Sequence, residues 1–284
     1  MADPDQASTA TGTLYVVATP IGNLGDMTLR AVEVLRSVPL VAAEDTRLTR
    51  RLWARYEIKT RLVSYHAQSR PARERELLEH LGAGHDLALV TDAGTPLVSD
   101  PGAELVSAWA ARGGRVVPIP GASAVLAALV AAGLPAARWT FEGFLPRRGR
   151  ERRELIQRIC ADERTSIVYE APGRAAATLA DLAARCGAER PAALCRELTK
   201  LHEEIWRGSL GELAARAADS DPRGEIVIVV SGRERGGEEP TIGLAEGRSE
   251  VHRLVKKGMS RASAAKEVAQ RTGLARRELF REGK

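Results

Sequence analysis

The sequence predicts an α/β protein built on open, mainly parallel sheets. Short apolar runs rich in Val, Leu and Ile alternate with stretches of helical spacing, the pattern of βα units. Three of those runs break into loops dense in Gly, Pro, Asp, Ser and Thr, as strand ends do where open α/β sheets place ligands. A length of 284 residues suits two such domains and a tail.

The N-terminal residues 1–12 lack the basic and apolar regions of a secretory signal and are expected to be a disordered tail. A first domain spans 13–144. Its strands are expected at 14–18, 40–43, 61–64, 87–91 and 116–119, and its helices at 28–37, 71–81, 101–112 and 122–132. Pro71 and Pro101 suit the first turn of a helix, where a missing N–H does no harm. Residues 144–150 read as a Pro/Gly/Arg linker. A second domain, 150–232, is expected to carry helices at 151–160, 173–185 and 210–218 and strands at 166–169, 192–197 and 225–230. A polar, Gly-rich linker follows at 231–243. The extension 244–284 has helical spacing on both sides of a turn at Thr272-Gly273. Val268, Leu274 and Leu279 hold core positions there, and Ser260 is placed as a cap. Its outline is that of a helix-turn-helix.

Composition limits the function classes. Hydrophobic residues make up 44% and aromatics 4%, so the cores rest on aliphatic side chains and Ala. The net charge of +5 is uneven: residues 251–284 hold ten Lys/Arg and three Glu, which leaves the rest slightly acidic. A near-neutral body with a basic end points to a polyanionic partner, against the plainer reading of a solvated basic helix. Three cysteines without CxxC spacing argue against a disulfide framework and a zinc site, and no metal is expected. The apolar stretch at 125–134 is too short to span a bilayer, so a soluble, cytoplasmic protein with no membrane partner is expected.

The three loops are TPIGNLGD after the first strand, TDAGTPLVSDPG after the fourth and PIPGASA after the fifth. Familiar nucleotide signatures are missing: there is no GxxxxGK[ST], no GxGxxG after a strand, no GxSxG elbow and no HExxH helix. The loops offer backbone donors, small residues, hydroxyls and the nearby Asp92 and Asp100. That suits a ligand with an adenosine, an amino-acid end and a positive charge. One such loop is more simply a tight turn; three at corresponding strand ends favour a site.

These loops, together with AEDTR (43–47), SYH (64–66), FEGFLPR, VYEAPGR (168–174), RELTKLHEE (196–204) and GEIVIVV, resemble the tetrapyrrole-methylase superfamily. The resemblance is to its ribosomal RNA small-subunit methyltransferase I branch, and it covers about residues 12–232. It implies a two-domain class III methyltransferase, usually a homodimer, with S-adenosylmethionine in a cleft between the domains. The implied activity is 2′-O-methylation of a cytidine in the decoding centre of 16S ribosomal RNA in the 30S subunit. It also implies cofactor contacts from Pro20, Asp92, Gly94, Thr95, Pro96, Val98, Ser99, Ser123 and Ala124, and from Tyr169, Leu198 and Glu225 of the second domain.

A sulfonium methyl is already electrophilic, so such an enzyme needs in-line positioning and a group to accept the hydroxyl proton. Candidates are Glu44, Asp45, His66, Glu170 and Glu203, with Asp45 or Glu170 preferred. Lys200 and Arg47 would hold phosphates or a developing alkoxide. Further RNA contacts are expected from His66, Arg147, Arg174, Lys256, Lys257 and Arg261. Each has a bland alternative: a surface pair for Glu44 and Arg47, a solvated helix pair for Lys200 and Glu203. Two other functions compete. One is a tetrapyrrole C-methyltransferase, disfavoured by the basic tail; the other is a non-catalytic nucleic-acid binder, disfavoured by the three aligned ligand loops.

Overall fold

The computed structural model describes residues 11–69, 71–233, 244–272, 274 and 276–280. Most of the expected tail, most of the 231–243 linker and Gly273 of the expected turn lie outside these residues.

The first sheet contains β1 (Thr13–Val17), β2 (Leu40–Ala43), β3 (Arg61–Ser64), β4 (Leu87–Val90) and β5 (Arg115–Ile119). All are parallel, in spatial order β3-β2-β4-β1-β5. Every residue of β4 is buried, as expected of a central strand covered on both faces. The chain between the strands forms α1 (Leu29–Ser37), α2 (Thr46–Tyr56), α3 (Pro71–Gly82), α4 (Ala103–Ala111) and α5 (Ala124–Ala132). One core joins Val32, Leu35, Leu52 and Trp53 to Val17, Val41 and Val90; another joins Leu77, Leu81, Leu105 and Trp109 to Leu14, Leu87 and Leu89.

Two local expectations need correction. The sequence reading passed over α2, although Thr49, Leu52 and Trp53 bury one face at helical spacing and Asp45 caps its start. Pro101 stays outside α4: Gly102 has φ +123, a conformation that L side chains avoid, and this resets the chain before the helix begins.

The second sheet contains β6 (Trp139–Phe144), β7 (Thr165–Glu170), β8 (Pro191–Arg196), β9 (Glu204–Ser209) and β10 (Ile226–Val230). Its order is β6-β7-β10-β8-β9; only the β6/β7 pair is parallel. Neither β6 nor β9 was expected. Both are edge strands with one deeply buried residue or none, so the alternation that marks a strand is weak in them. The helices here are α6 (Arg150–Ala161), α7 (Ala175–Cys186) and α8 (Leu210–Ser220), the last started by a capping box of Ser209 and Glu212. Helix α5 also packs on this sheet, its Val125, Ala128 and Leu129 meeting Ile167, Ala193 and Val227. Both sheets belong to one compact unit.

Cys160 and Cys186 form a disulfide, against the reading of the cysteines as unpaired. They end α6 and α7, and a separation of 26 residues carries no spacing signal.

A second compact unit contains α9 (Leu244–Lys256), α10 (Arg261–Thr272) and α11 (Arg276–Phe280). Its small core is Val251, Ala264, Ala265, Val268, Leu274 and Leu279. Ser260 caps α10, accepting from the Ser263 N–H at 3.2 Å. No helix among the described residues is long and apolar enough to cross a membrane.

Candidate active site

The loops after β1, β4 and β5 meet at the carboxyl edge of the first sheet. Thr19 and Gly94 exchange backbone hydrogen bonds of 2.8 and 3.0 Å, and the Thr19 hydroxyl donates to the Thr91 carbonyl at 3.1 Å. Leu97 (φ 73) and Ser99 (φ 68) both hold the left-handed conformation without being glycine. Each such residue costs on the order of 1 kcal/mol or more, and such residues cluster at functional sites. The first loop also touches the second sheet's side. Gly22 lies so close to the 198–200 turn that a Cβ would meet Thr199 Oγ1 at 2.9 Å and the Leu198 carbonyl at 3.1 Å. Next to it, the Asn23 N–H donates to Thr199 Oγ1 at 3.1 Å.

These loops and the second sheet enclose a cavity of about 420 Å³. The first sheet's loops contribute Ile21, residues 93–95 and 98–100, Ser123 and Ala124; the second side contributes Phe144, residues 169–172 and 225–227. Tyr169 meets Phe141 and Phe144 edge-on, with centroids 4.8 and 5.4 Å away. Burial, aided by the charges of Asp100 and Glu225, pushes the Tyr169 hydroxyl up to about 12. Size, apolar walls and a few convergent polar groups suit a nucleoside-bearing ligand.

Beside the cavity, three carboxylates gather at the ends of β2 and β4. The Asp92 N–H donates to Glu44 Oε2 at 3.3 Å, and the Asp45 N–H donates to Asp92 Oδ1 at 3.0 Å. Burial raises the pKa of Glu44 and of Asp92. Asp100, at the end of the same loop, is raised to about 6, first by burial and then by the Glu44 charge. Among the described residues, no cation lies within ion-pair distance of Glu44, Asp92 or Asp100.

Of the residues expected to bind cofactor, Gly94, Thr95, Val98, Ser99, Ser123, Ala124, Tyr169 and Glu225 line the cavity. Pro20, Asp92, Pro96 and Leu198 do not; Leu198 is a core residue beside Ile21. The sequence reading missed Ile21, Phe144, Pro172 and Val227 as lining residues. All four fall in motifs already singled out, but which residues of a motif face inward depends on the register of the opposing strands.

The preferred bases need correction. Asp45 accepts from its helix's Arg47 N–H at 2.8 Å and pairs with the exposed Arg47 guanidinium at 2.6 Å. Those bonds hold its carboxyl down at about 2, too acidic for a good proton acceptor. Glu170 is fully buried and fully used: it accepts from Thr178 Oγ1 at 2.5 Å and from the Ala171 N–H at 2.8 Å, and pairs with Arg174 at 3.2 Å. Arg174, expected to bind RNA, also donates to the Leu145 carbonyl at 2.9 Å, a structural tie across the second sheet. Lys200 pairs with Glu197 at 2.9 Å and Glu225 at 3.3 Å. Glu203 accepts from the Thr199 N–H at 2.7 Å, closing a turn and not a helix. Arg47, His66 and Arg147 are exposed. In the helical unit, Lys256 and Lys257 are exposed and Arg261 donates to the Phe280 carbonyl at 3.1 Å.

The Tetrapyrrole (Corrin/Porphyrin) Methylases profile matches residues 13–214. Three proteins called ribosomal RNA small subunit methyltransferase I are similar over nearly the whole chain. The one from Synechocystis is 48% identical, covering 95% of this chain and 96% of the relative. The one from Pseudomonas aeruginosa is 45% identical (95% and 96% covered), and that from Bacillus subtilis 42% (95% and 93%). The chain belongs to the ribosomal RNA small subunit methyltransferase I branch of the tetrapyrrole methylases. Solved structures share the fold at lower identity. A cobalamin-biosynthetic cobalt precorrin-4 methyltransferase aligns with TM-score 0.58 and 17% identity over 77% of this chain and 94% of that one. Uroporphyrin-III C-methyltransferase of Thermus thermophilus, complexed with S-adenosyl homocysteine, aligns with TM-score 0.54 and 21% identity over 78% and 97%. The methyltransferase I branch thus keeps a methylase fold, with an acidic rim beside the cavity and a basic helical end.

Proposed function

We propose that this protein transfers the methyl group of S-adenosylmethionine to the ribose 2′-oxygen of a cytidine in 16S ribosomal RNA. The cavity between the strand-end loops and the second sheet carries the reading, because its contents match the donor's chemistry. Ile21 and Val227 offer apolar surface for an adenine, Ser99 and Ser123 offer hydroxyls, and Glu225 offers a carboxylate for an amine or a sulfonium. The Gly94 Cα and its neighbours let backbone donors come close, which a side chain at φ +80 would prevent. When bound, the cofactor supplies an electrophilic methyl. The chain's part is to orient it, exclude water and bring the ribose oxygen into line.

The RNA is met by exposed basic groups: Arg47 and Arg147 in the two-sheet unit, Lys256 and Lys257 in the helical unit. Phosphate contacts of this kind make binding salt-dependent. The assembled 30S subunit is the proposed substrate. A homodimer is supported by Leu126 and Val130, apolar residues one turn apart and exposed on α5, and light scattering tests it. A cytoplasmic location follows from that substrate.

The test is to incubate the protein with labelled S-adenosylmethionine and under-methylated 30S subunits, then map the label. The expected result is one cytidine labelled on the ribose. Label on a base, or transfer to a tetrapyrrole and not to RNA, overturns the reading.

A further inference from the structure

A second cavity, of about 540 Å³, adjoins the first. The two share Ser99 and Asp100 in their linings. Around the second stand Glu44, Tyr65, His66, Glu74 and Glu104, so it is acidic. An RNA phosphate is repelled there. The neutral part of a nucleotide, its sugar and base, is not, and an exocyclic amine would find carboxylate acceptors. Enzymes that work on one nucleotide of a folded RNA commonly take it out of its stack into such a pocket.

Asp100 therefore stands at the boundary between a donor cavity and an acceptor cavity. Its carboxylate makes no ion pair among the described residues, and its nearest polar support is weak. The Thr91 hydroxyl, buried to 2% exposure, interacts with it but makes no hydrogen bond of normal geometry. We infer that the acidic cavity receives the target nucleoside and that Asp100, on the wall shared by both cavities, accepts the proton of the ribose hydroxyl. This rests on the function proposed above and adds its acceptor site and its base.

The step balances. The O2′ lone pair forms the new C–O bond to the methyl carbon as the S–CH3 bond breaks. The electron pair of that bond goes to sulfur, giving the neutral thioether, S-adenosylhomocysteine. The O2′ proton passes to an Asp100 oxygen and from there to solvent. A carboxylate raised to about 6 by burial is ionised at neutral pH, yet more basic than an ordinary aspartate. Glu44, Asp92 and Tyr169 face it from β2, β4 and β7, and Glu74, Glu104 and His66 face it across the acceptor cavity. The acidic neighbours among these keep its pKa high; protonation of His66 would act the other way.

The experiment is the single-turnover methylation of 30S subunits from pH 5 to 9, for wild type and Asp100→Asn, with cofactor affinity measured by calorimetry. The wild-type rate should fall below about pH 6, tenfold per unit, as Asp100 takes up its proton. Asp100→Asn should be slower by roughly 100-fold or more at pH 7, lack that limb and bind cofactor within about threefold of wild type. A wild-type profile flat through pH 6, or a variant within threefold of the wild-type rate, overturns the assignment of Asp100. The wild-type profile needs no variant, so it decides even if Asp100→Asn folds poorly. A wild type that labels no ribose overturns the functional reading itself, and the Asp100 step with it.

Discussion

Two sets of acidic groups border the donor cavity, and they are built differently. On the second sheet, Glu170 is enclosed and answered by Thr178, the Ala171 N–H and Arg174. Its surroundings extend to Arg152, which pairs with Asp181 at 2.7 Å, donates to Thr178 Oγ1 at 3.0 Å and holds the Pro146 carbonyl at 3.1 Å. On the first sheet, Glu44, Asp92 and Asp100 are raised by burial and by one another, with only backbone N–H groups and one poorly placed hydroxyl to answer them. A buried carboxylate whose lone pairs are all used belongs to the scaffold. One that is desolvated and unanswered is held for something that arrives later.

Substitutions can break or sharpen this contrast. The largest effect is expected at Glu170. Glu170→Gln removes the charge facing Arg174 and should cost about 2–3 kcal/mol of stability, with Arg174's partial exposure limiting the loss. The methylation rate per folded molecule should change little; chemical denaturation and single-turnover rates check both.

Asp100→Asn should do the reverse. Burial raises the Asp100 carboxyl from 3.8 to about 6, so ionising it penalises the folded state. The native state is relatively favoured below pH 3.8, and that advantage is lost as pH rises through about 6. An amide escapes the penalty, so the variant should be more stable than wild type at pH 8, by about 1–2 kcal/mol after solvent screening, and equal to it near pH 4. Denaturant midpoints at the two pH values read this directly.

Asp45→Ala should cost about 1 kcal/mol through loss of the α2 cap and leave the acid limb of the rate in place. A lost limb would return Asp45 to the list of bases. The smallest effect is expected at Thr91. Thr91→Val removes an unpaired buried hydroxyl at little cost in stability and takes away a weak support of the Asp100 carboxylate. The acid limb should therefore move upward in pH; a downward shift would mean that Thr91 does not support the charge.

Much of the first sheet was legible in the sequence because its strands are continuous apolar runs ending in Gly/Pro-rich loops. The cofactor loops could be named for the same reason. Helix α2 was missed because its exposed face is crowded with arginine, although Leu52 and Trp53 bury the other. The edge strands β6 and β9 were missed because Trp139, Phe144 and Arg207 face outward and blur the alternation. The roles of the acidic residues were the least legible. Asp45, Glu170 and Asp100 are equivalent letters in a sequence. Only tertiary contacts show that the first is bound by its helix and its neighbouring arginine, the second by Thr178 and Arg174, and the third by almost nothing.

The central claim is that the unanswered carboxylate works while the answered one supports. Its most direct test sets Asp100→Asn and Glu170→Gln side by side at pH 8, measuring denaturant stability and single-turnover methylation on the same preparations. The expected result is crossed: Asp100→Asn more stable than wild type and roughly 100-fold slower, Glu170→Gln less stable and near wild-type in rate per folded molecule. If Glu170→Gln loses the chemistry while Asp100→Asn keeps it, the account is wrong.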